Sequence, residues 1–157
     1  MHRRQDIQFR LVIGQGSDDM TADDIGNLRA GSVGCSPCNG RIVDVVGDLE
    51  TVMAGLACGE PSLLAWAILD PGADAFMTVT DDDARAAMRD LATLKVVGGE
   101  SGVAGLAGLL KAAANPAMRA ALGLNETSRV LLYGTEGATD PVVYREIVGR
   151  NWEEVEA

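Results

Sequence analysis

Apolar residues fall into short continuous runs that alternate with runs of helical spacing along most of the chain. Gln8 to Ile13 predicts a short strand, with Gly14-Gln15-Gly16 as its turn. Thr21 heads a weak helix through Ala30, stopped by Gly31. Gly31 to Gly40 is a loop by composition, and Arg41 to Val46 a further short strand. Asp48 is a good N-cap for a helix carrying Leu49, Val52, Met53 and Leu56 on one face. Gly59-Glu60-Pro61-Ser62 breaks that helix, and Leu63 to Leu69 resumes it as far as Pro71-Gly72.

Ala75 to Val79 reads as a strand, and Thr80-Asp81-Asp82-Asp83 as the capping-box start of a helix, its acids suited to the helix dipole. That helix runs to about Leu94 and presents Ala87, Met88, Leu91 and Leu94 to a core. Lys95 to Val97 is a short strand or entry segment, after which Ser101 caps a nearly all-apolar helix through Ala114. A helix so uniformly apolar is expected to be buried on most sides. Asn115-Pro116 opens the next helix and Gly123 ends it. Ser128 to Tyr133 is the strongest strand pattern in the chain, Gly134 to Thr139 its loop, and Asp140-Pro141 the start of a last helix through Val148. Strand and helix alternate, and no two-residue hairpin turn joins two predicted strands. The pattern therefore predicts an α/β fold: a parallel sheet in three layers, with helices on both faces.

Composition narrows this little. A chain of 157 residues, 47% hydrophobic and 23% charged, is one globular domain that buries roughly two-thirds of its unfolded surface. Aromatic residues make up only 4%, so the core rests on Ala, Val, Leu, Ile and Met. A net charge of −10 argues against nucleic acid and anionic lipid as partners, since both require a basic footprint. No apolar run is long enough to cross a bilayer. The basic start Met1-His2-Arg3-Arg4 is interrupted by Asp6, Gln8 and Arg10 before any signal-like stretch, and a cytoplasmic location is expected. Three cysteines do not describe a secreted disulfide framework. Cys35 and Cys38 have C-x-x-C spacing, but zinc needs two more ligands and only Cys58 and His2 remain. The pair reads foremost as structural or incidental, with redox or metal binding the lesser alternative, and no metal site is expected.

Ligands of parallel α/β sheets gather where strands end and helix N-termini begin. Two segments have that design: Val96-Val97-Gly98-Gly99-Glu100-Ser101-Gly102, and Leu131-Leu132-Tyr133-Gly134-Thr135-Glu136-Gly137. Both have plainer readings. Gly102, Gly105 and Gly108 recur every third residue, which close helix packing explains; Glu100 can be simple dipole compensation; Thr135 and Glu136 can be turn chemistry.

The string Asp48-Leu49-Glu50-Thr51-Val52-Met53-Ala54-Gly55-Leu56-Ala57-Cys58-Gly59-Glu60-Pro61-Ser62 resembles the diaminopropionate ammonia-lyases. So do Gly99-Glu100-Ser101-Gly102, and Gly134-Thr135-Glu136-Gly137 continuing to Tyr144-Arg145, in the family's order. The resemblance spans about Gly47 to Gly149. It implies the type II pyridoxal-phosphate fold, shared with threonine dehydratases and the tryptophan synthase β chain, and α,β-elimination of 2,3-diaminopropionate to pyruvate and ammonia. Under it Thr135 is a neutral hydroxyl near the pyridine nitrogen, Glu100 a glutamate near the cofactor ring, and Ala54, Gly55 and Glu60 border the substrate pocket.

The same resemblance implies a Schiff-base lysine, substrate-side aspartates and a glycine-rich phosphate loop in a longer N-terminal portion. Lys95 and Lys111 match no such position, and Gly14-Gln15-Gly16-Ser17 is too short for the loop. Residues 1–46 are accordingly set apart from a lyase part at 47–157, as a shifted reading frame or truncated gene upstream of Gly47 would produce. The chain is expected to be incomplete and inactive alone. Alternatives are a non-catalytic association module, pairing as a homodimer or with a full-length relative, and another β-eliminating enzyme such as a threonine or serine dehydratase.

Overall fold

A computed structural model of the chain describes residues 11–15, 50–57, 62–73 and 75–156. Strand β1 (Leu11–Gln15) pairs in parallel with β2 (Ala75–Val79), Leu11 lying opposite Ala75 and Gln15 opposite Val79. Parallel pairing requires a crossover rather than a hairpin, as the alternating pattern demands. The first strand runs past its expected end at Ile13: Gly14 and Gln15 stand in the ladder, opposite Thr78 and Val79, instead of forming a turn. Pairing along β2 outweighs the modest cost of a glycine inside a strand. The helix expected at 21–30, the strand at 41–46 and the cysteine pair lie outside the described residues.

Helix α1 (Leu63–Gly72) follows Ser62, whose hydroxyl accepts from Ala65 N–H at 3.3 Å. Helix α2 (Asp81–Thr93) begins with the predicted capping box. Asp83 N–H donates to Thr80 Oγ1 at 3.2 Å, and Thr80 N–H donates to Asp83 Oδ2 at 2.9 Å. Its buried face carries Ala84, Ala87, Met88 and Ala92. Leu94 does not join them and is 71% exposed. The reason is local: Lys95 takes a left-handed conformation at φ 60°, Lys95 N–H bonds Ala92 O, and Val96 N–H bonds Leu91 O. That pair of bonds is a Schellman stop, which swings Leu94 outward and leaves no strand at 95–97.

Helix α3 (Ala104–Ala114) packs against both strands and against α2, with α4 (Pro116–Ala121) beside it. The predicted cap Ser101 lies outside the helix, and Val103 holds the N-cap position without a capping side chain. One face of α3 is buried through Ala104, Ala107, Gly108 and Ala112, while Leu110 is exposed. Most-sided burial is thus not found among the described residues. Asn115 caps α4 as expected, accepting from Ala117 N–H at 2.9 Å and Met118 N–H at 3.1 Å. Asp140 does the same for α5 (Pro141–Val148), accepting from Val142 and Val143 N–H. A short α6 (Trp152–Glu156) closes the chain against α5.

The principal core joins Met53, Val79, Met88, Val103, Tyr144 and Val155, the largest side chains that are fully buried. Alanines of α2 and α3 let the two helices approach closely around them. A smaller cluster, Met77, Ala112, Met118 and Leu122, fixes α4.

Two expectations fail here. Among the described residues of the segment read as an Asp48-capped helix, only Ala54–Leu56 is helical, and as a 3-10 turn. Thr51 and Val52 are drawn elsewhere: the Thr51 hydroxyl and Val52 N–H both donate to the Asp81 carboxylate, and Met53 N–H donates back to Thr51 Oγ1. Polar side chains so placed compete with the helical ladder. The second failure is Ser128 to Tyr133, which is not a strand. Leu131 is 75% and Tyr133 78% exposed. A strand exists only through a neighbour's hydrogen bonds, and the described residues offer this segment no such neighbour.

Candidate functional site

Two loops that lie far apart in sequence meet at the beginning of α3. One carries Gly99, Glu100, Ser101 and Gly102; the other carries Thr135, Glu136 and Gly137. Gly99 N–H donates to Glu136 O at 3.0 Å. The Glu136 carboxylate reaches back, its Oε2 accepting from Ser101 N–H at 2.8 Å and Gly102 N–H at 3.2 Å. Contact is close enough to require glycine at both points. A Cβ on Gly99 would lie 2.0 Å from Gly137 O, and one on Gly102 2.8 Å from Glu136 O.

A third segment joins from the 3-10 turn, where Gly55 N–H donates to Ser101 Oγ at 3.0 Å. A Cβ on Gly55 would stand 2.8 Å from that same oxygen. Ala54 faces an open depression lined with Glu50, Thr51, Val52, Ala57 and Asp81. The sequence-predicted residues Glu100, Thr135 and Gly55 therefore share one region, with Ala54 adjacent in sequence to Gly55. Glu60 lies outside the described residues.

Electrostatics single out Glu100. It is 6% exposed, and its Oε1 has no hydrogen-bond partner. Burial pushes its carboxyl above the usual glutamate range, and repulsion from Glu136 and Asp140 adds to the rise, against its backbone hydrogen bond. A buried carboxyl of this kind holds a proton more readily than an exposed one. Thr135, by contrast, is exposed at the mouth of its loop. Among the described residues no cluster of His, Cys, Asp and Glu can hold a metal ion.

A family model described as pyridoxal-phosphate dependent enzyme matches residues 21–133. The chain belongs to that family. Its match begins within the segment that sequence reading left without a family likeness. Within the pyridoxal-phosphate dependent enzymes, the chain is 41% identical over 126 residues to the diaminopropionate ammonia-lyase of Escherichia coli strain K12, covering 75% of this chain and 31% of that protein. The enzyme of Salmonella typhimurium strain LT2 is 38% identical over 114 residues, covering 66% of this chain and 28% of the relative. The chain thus spans about a third of the length of the curated relatives it matches.

Among solved structures, it is similar to the diaminopropionate ammonia lyase from Escherichia coli in complex with an aminoacrylate-PLP azomethine reaction intermediate. That likeness has a TM-score of 0.58 and 39% identity, covering 68% of this chain and 30% of the other. The threonine deaminase of T.th. shares the fold at a TM-score of 0.51 and 21% identity, covering 68% of this chain and 35% of that one. The α/β fold is that of the type II pyridoxal-phosphate enzymes, present here in part.

The cofactor of this family is pyridoxal phosphate, and the site fits one end of it. The unpartnered Glu100 oxygen and a neutral hydroxyl at Thr135 are of a chemistry that a heteroaromatic ring can meet, whereas the space at Gly99 and Gly102 is filled by Glu136 and Gly137. A phosphate does not fit here: the N–H groups of Ser101 and Gly102 are already held by Glu136, and Glu100, Glu136 and Asp140 add up to an acidic surround. Sequence reading found Glu100, Thr135 and Gly55 through family likeness. It missed the clasp between Glu136 and the α3 loop, because nothing local in the sequence marks a contact across 34 or 35 positions.

Proposed function

We propose that this chain supplies the ring-facing C-terminal part of a diaminopropionate ammonia-lyase. The reading is carried by one observation: the blocks most like that lyase, at Gly55, Glu100 and Thr135, converge around the start of α3 although they are distant in sequence. Residues 47–157 carry the lyase likeness read from the sequence, and the family match from residue 21 together with the pairing of β1 and β2 supports extending the lyase part back into 1–46.

Pyridoxal phosphate, when bound, supplies an electron sink that makes loss of an α-proton and of a β-leaving group possible. The chain's own residues bind and orient. Thr135 would offer the pyridine nitrogen a neutral hydroxyl, under which that nitrogen would stay largely unprotonated and elimination would be favoured over transamination. Glu100, protonated more readily than an ordinary glutamate, would meet the ring side of the cofactor without placing a full charge there. Ala54, Gly55 and Glu60 border the amino-acid substrate.

The lysine that holds the cofactor is proposed to come from outside this chain. Lys111 is ion-paired to Asp83 at 2.9 Å, and Lys95 sits on the exposed Schellman turn. The complementary part is a lysine-bearing lyase polypeptide such as a full-length relative, since pairing with a second copy of this chain would bring no further lysine. A cytoplasmic setting accords with an amino-acid substrate and with the fact that no helix of the described residues is long and apolar enough to cross a membrane.

Cofactor titration followed by absorbance tests this. The chain alone should give no protein-bound visible band and no ammonia from diaminopropionate. Mixing it with the N-terminal two-thirds of the Escherichia coli relative should give both. Turnover of diaminopropionate by the chain alone would overturn the missing lysine, and absence of a band in the mixture would overturn the lyase reading.

A further inference from the structure

We infer that Glu136 is a positioning residue, a carboxylate clasp that fixes Glu100 and Thr135 relative to each other. The inference rests on the cofactor-facing reading of those two residues given above. Glu136 stands next to Thr135 in sequence, and its Oε2 takes both the Ser101 and the Gly102 N–H groups, immediately beyond Glu100. Its own carbonyl accepts from Gly99 N–H, on the other side of Glu100. One residue thus brackets Glu100 in three hydrogen bonds while holding the backbone that carries Thr135.

The clasp explains features that otherwise stand unconnected. Gly99 and Gly102 have no room for a side chain because Glu136 and Gly137 lie against them. Ser101 does not cap α3 with its side chain, because Val103 and Ala104 N–H are met by the carbonyls of Gly99 and Ser101, and its hydroxyl instead accepts from Gly55 N–H at 3.0 Å. The carboxylate ties the Thr135 loop to the α3 loop, and the Ser101 hydroxyl ties the α3 loop to the 3-10 turn. Hydrogen bonds from neutral N–H groups to an ionised acceptor are among the stronger ones in proteins, and a glutamine retains an acceptor oxygen at the same reach.

Amide hydrogen exchange on the full chain tests the clasp, with Glu136→Ala and Glu136→Gln compared. Glu136→Ala should speed exchange at Ser101 and Gly102 by about tenfold or more, from the loss of an ion-accepted bond. Glu136→Gln should recover most of that protection, and Ala84 and Met88 amides in α2 should exchange unchanged in both. In the mixture with the lysine-bearing lyase portion, added pyridoxal phosphate should shift the Glu100 and Thr135 resonances of the wild type and of Glu136→Gln. Glu136→Ala should need about tenfold more cofactor for the same shift, if the lost bond had held the two residues in place. Unchanged exchange at Ser101 and Gly102 in Glu136→Ala would overturn the clasp, and unchanged cofactor response would overturn its positioning role. A wild type whose resonances ignore pyridoxal phosphate would sink the site reading instead, and exchange alone would then judge the clasp.

Discussion

Lys111 Nζ lies 2.9 Å from Asp83 Oδ2, so that an ion pair ties the last turn of α3 to the first turn of α2. Burial pushes the Asp83 carboxyl up, but the Thr80 backbone N–H, Lys111 and the Thr80 hydroxyl together hold it below its ordinary value. A carboxyl depressed in the folded state contributes stability that is full above the ordinary aspartate range. That contribution is lost as pH falls through the depressed value. The pair is only partly exposed, with about a quarter of the lysine side chain and a third of the carboxylate open to solvent. Lys111→Met should therefore destabilise the chain by about 0.5–1 kcal/mol near neutral pH and flatten the acid limb of stability against pH. Chemical denaturation at several pH values measures both, and an unaltered acid limb would show that Lys111 does not set it.

Glu100 works in the opposite direction. Burial, then repulsion from Glu136 and Asp140, raises its carboxyl, so its stabilising contribution belongs to the neutral form. It is complete below the ordinary glutamate range and declines as pH rises through the raised value. Glu100→Gln removes the charge and should stabilise the chain by about 1 kcal/mol at neutral pH, with little effect at low pH. A Glu100→Gln chain that is less stable than wild type at neutral pH would mean that the ionised carboxylate has a favourable partner.

Glycines of similar appearance should respond with opposite sign. Gly99 leaves a Cβ only 2.0 Å from the Gly137 carbonyl oxygen, a backbone atom that cannot step aside. Gly105 sits inside α3, and the nearest neighbour to its Cβ would be Leu132 Cδ2 at an ordinary 3.6 Å. Gly99→Ala should cost about 2 kcal/mol or more through overpacking. Gly105→Ala should instead raise stability by about 0.5–1 kcal/mol through helix propensity. Thermal unfolding of the two variants side by side checks the pair of signs.

What could be read in the sequence was whatever is settled within a few residues. Thr80 with Asp83, Asn115 with Pro116, and Asp140 with Pro141 each cap a helix where expected, since each bond spans only two or three positions. The strand Ala75–Val79 was likewise found at its expected bounds. Failures share the opposite character. The Thr51 and Val52 segment gives up its helix to Asp81, 29 to 30 residues away. Ser128 to Tyr133 has a strand's composition without a strand's partner among the described residues. At the site, Glu100 and Thr135 were reached through family likeness, whereas Glu136 looked like turn chemistry because its partners are remote in sequence. Leu94 was lost to a single dihedral angle at Lys95, and lysine is an uncommon choice for that conformation.

That angle gives the last prediction. A left-handed backbone costs a residue with a Cβ roughly 1–2 kcal/mol, a penalty glycine escapes. The Schellman bonds from Lys95 and Val96 N–H to Ala92 and Leu91 carbonyls involve backbone alone, so they survive replacement of the side chain. Part of the gain is offset because glycine also loosens the unfolded chain. Lys95→Gly should then raise stability by about 0.5–1 kcal/mol, read as a higher denaturation midpoint with an unchanged slope. The same variant bears on chemistry. If the lysine holding the cofactor comes from outside this chain, Lys95→Gly mixed with the lysine-bearing lyase portion should form the visible cofactor band as fully as the parent chain. Loss of that band, with folding intact, would place the cofactor's lysine on this turn after all.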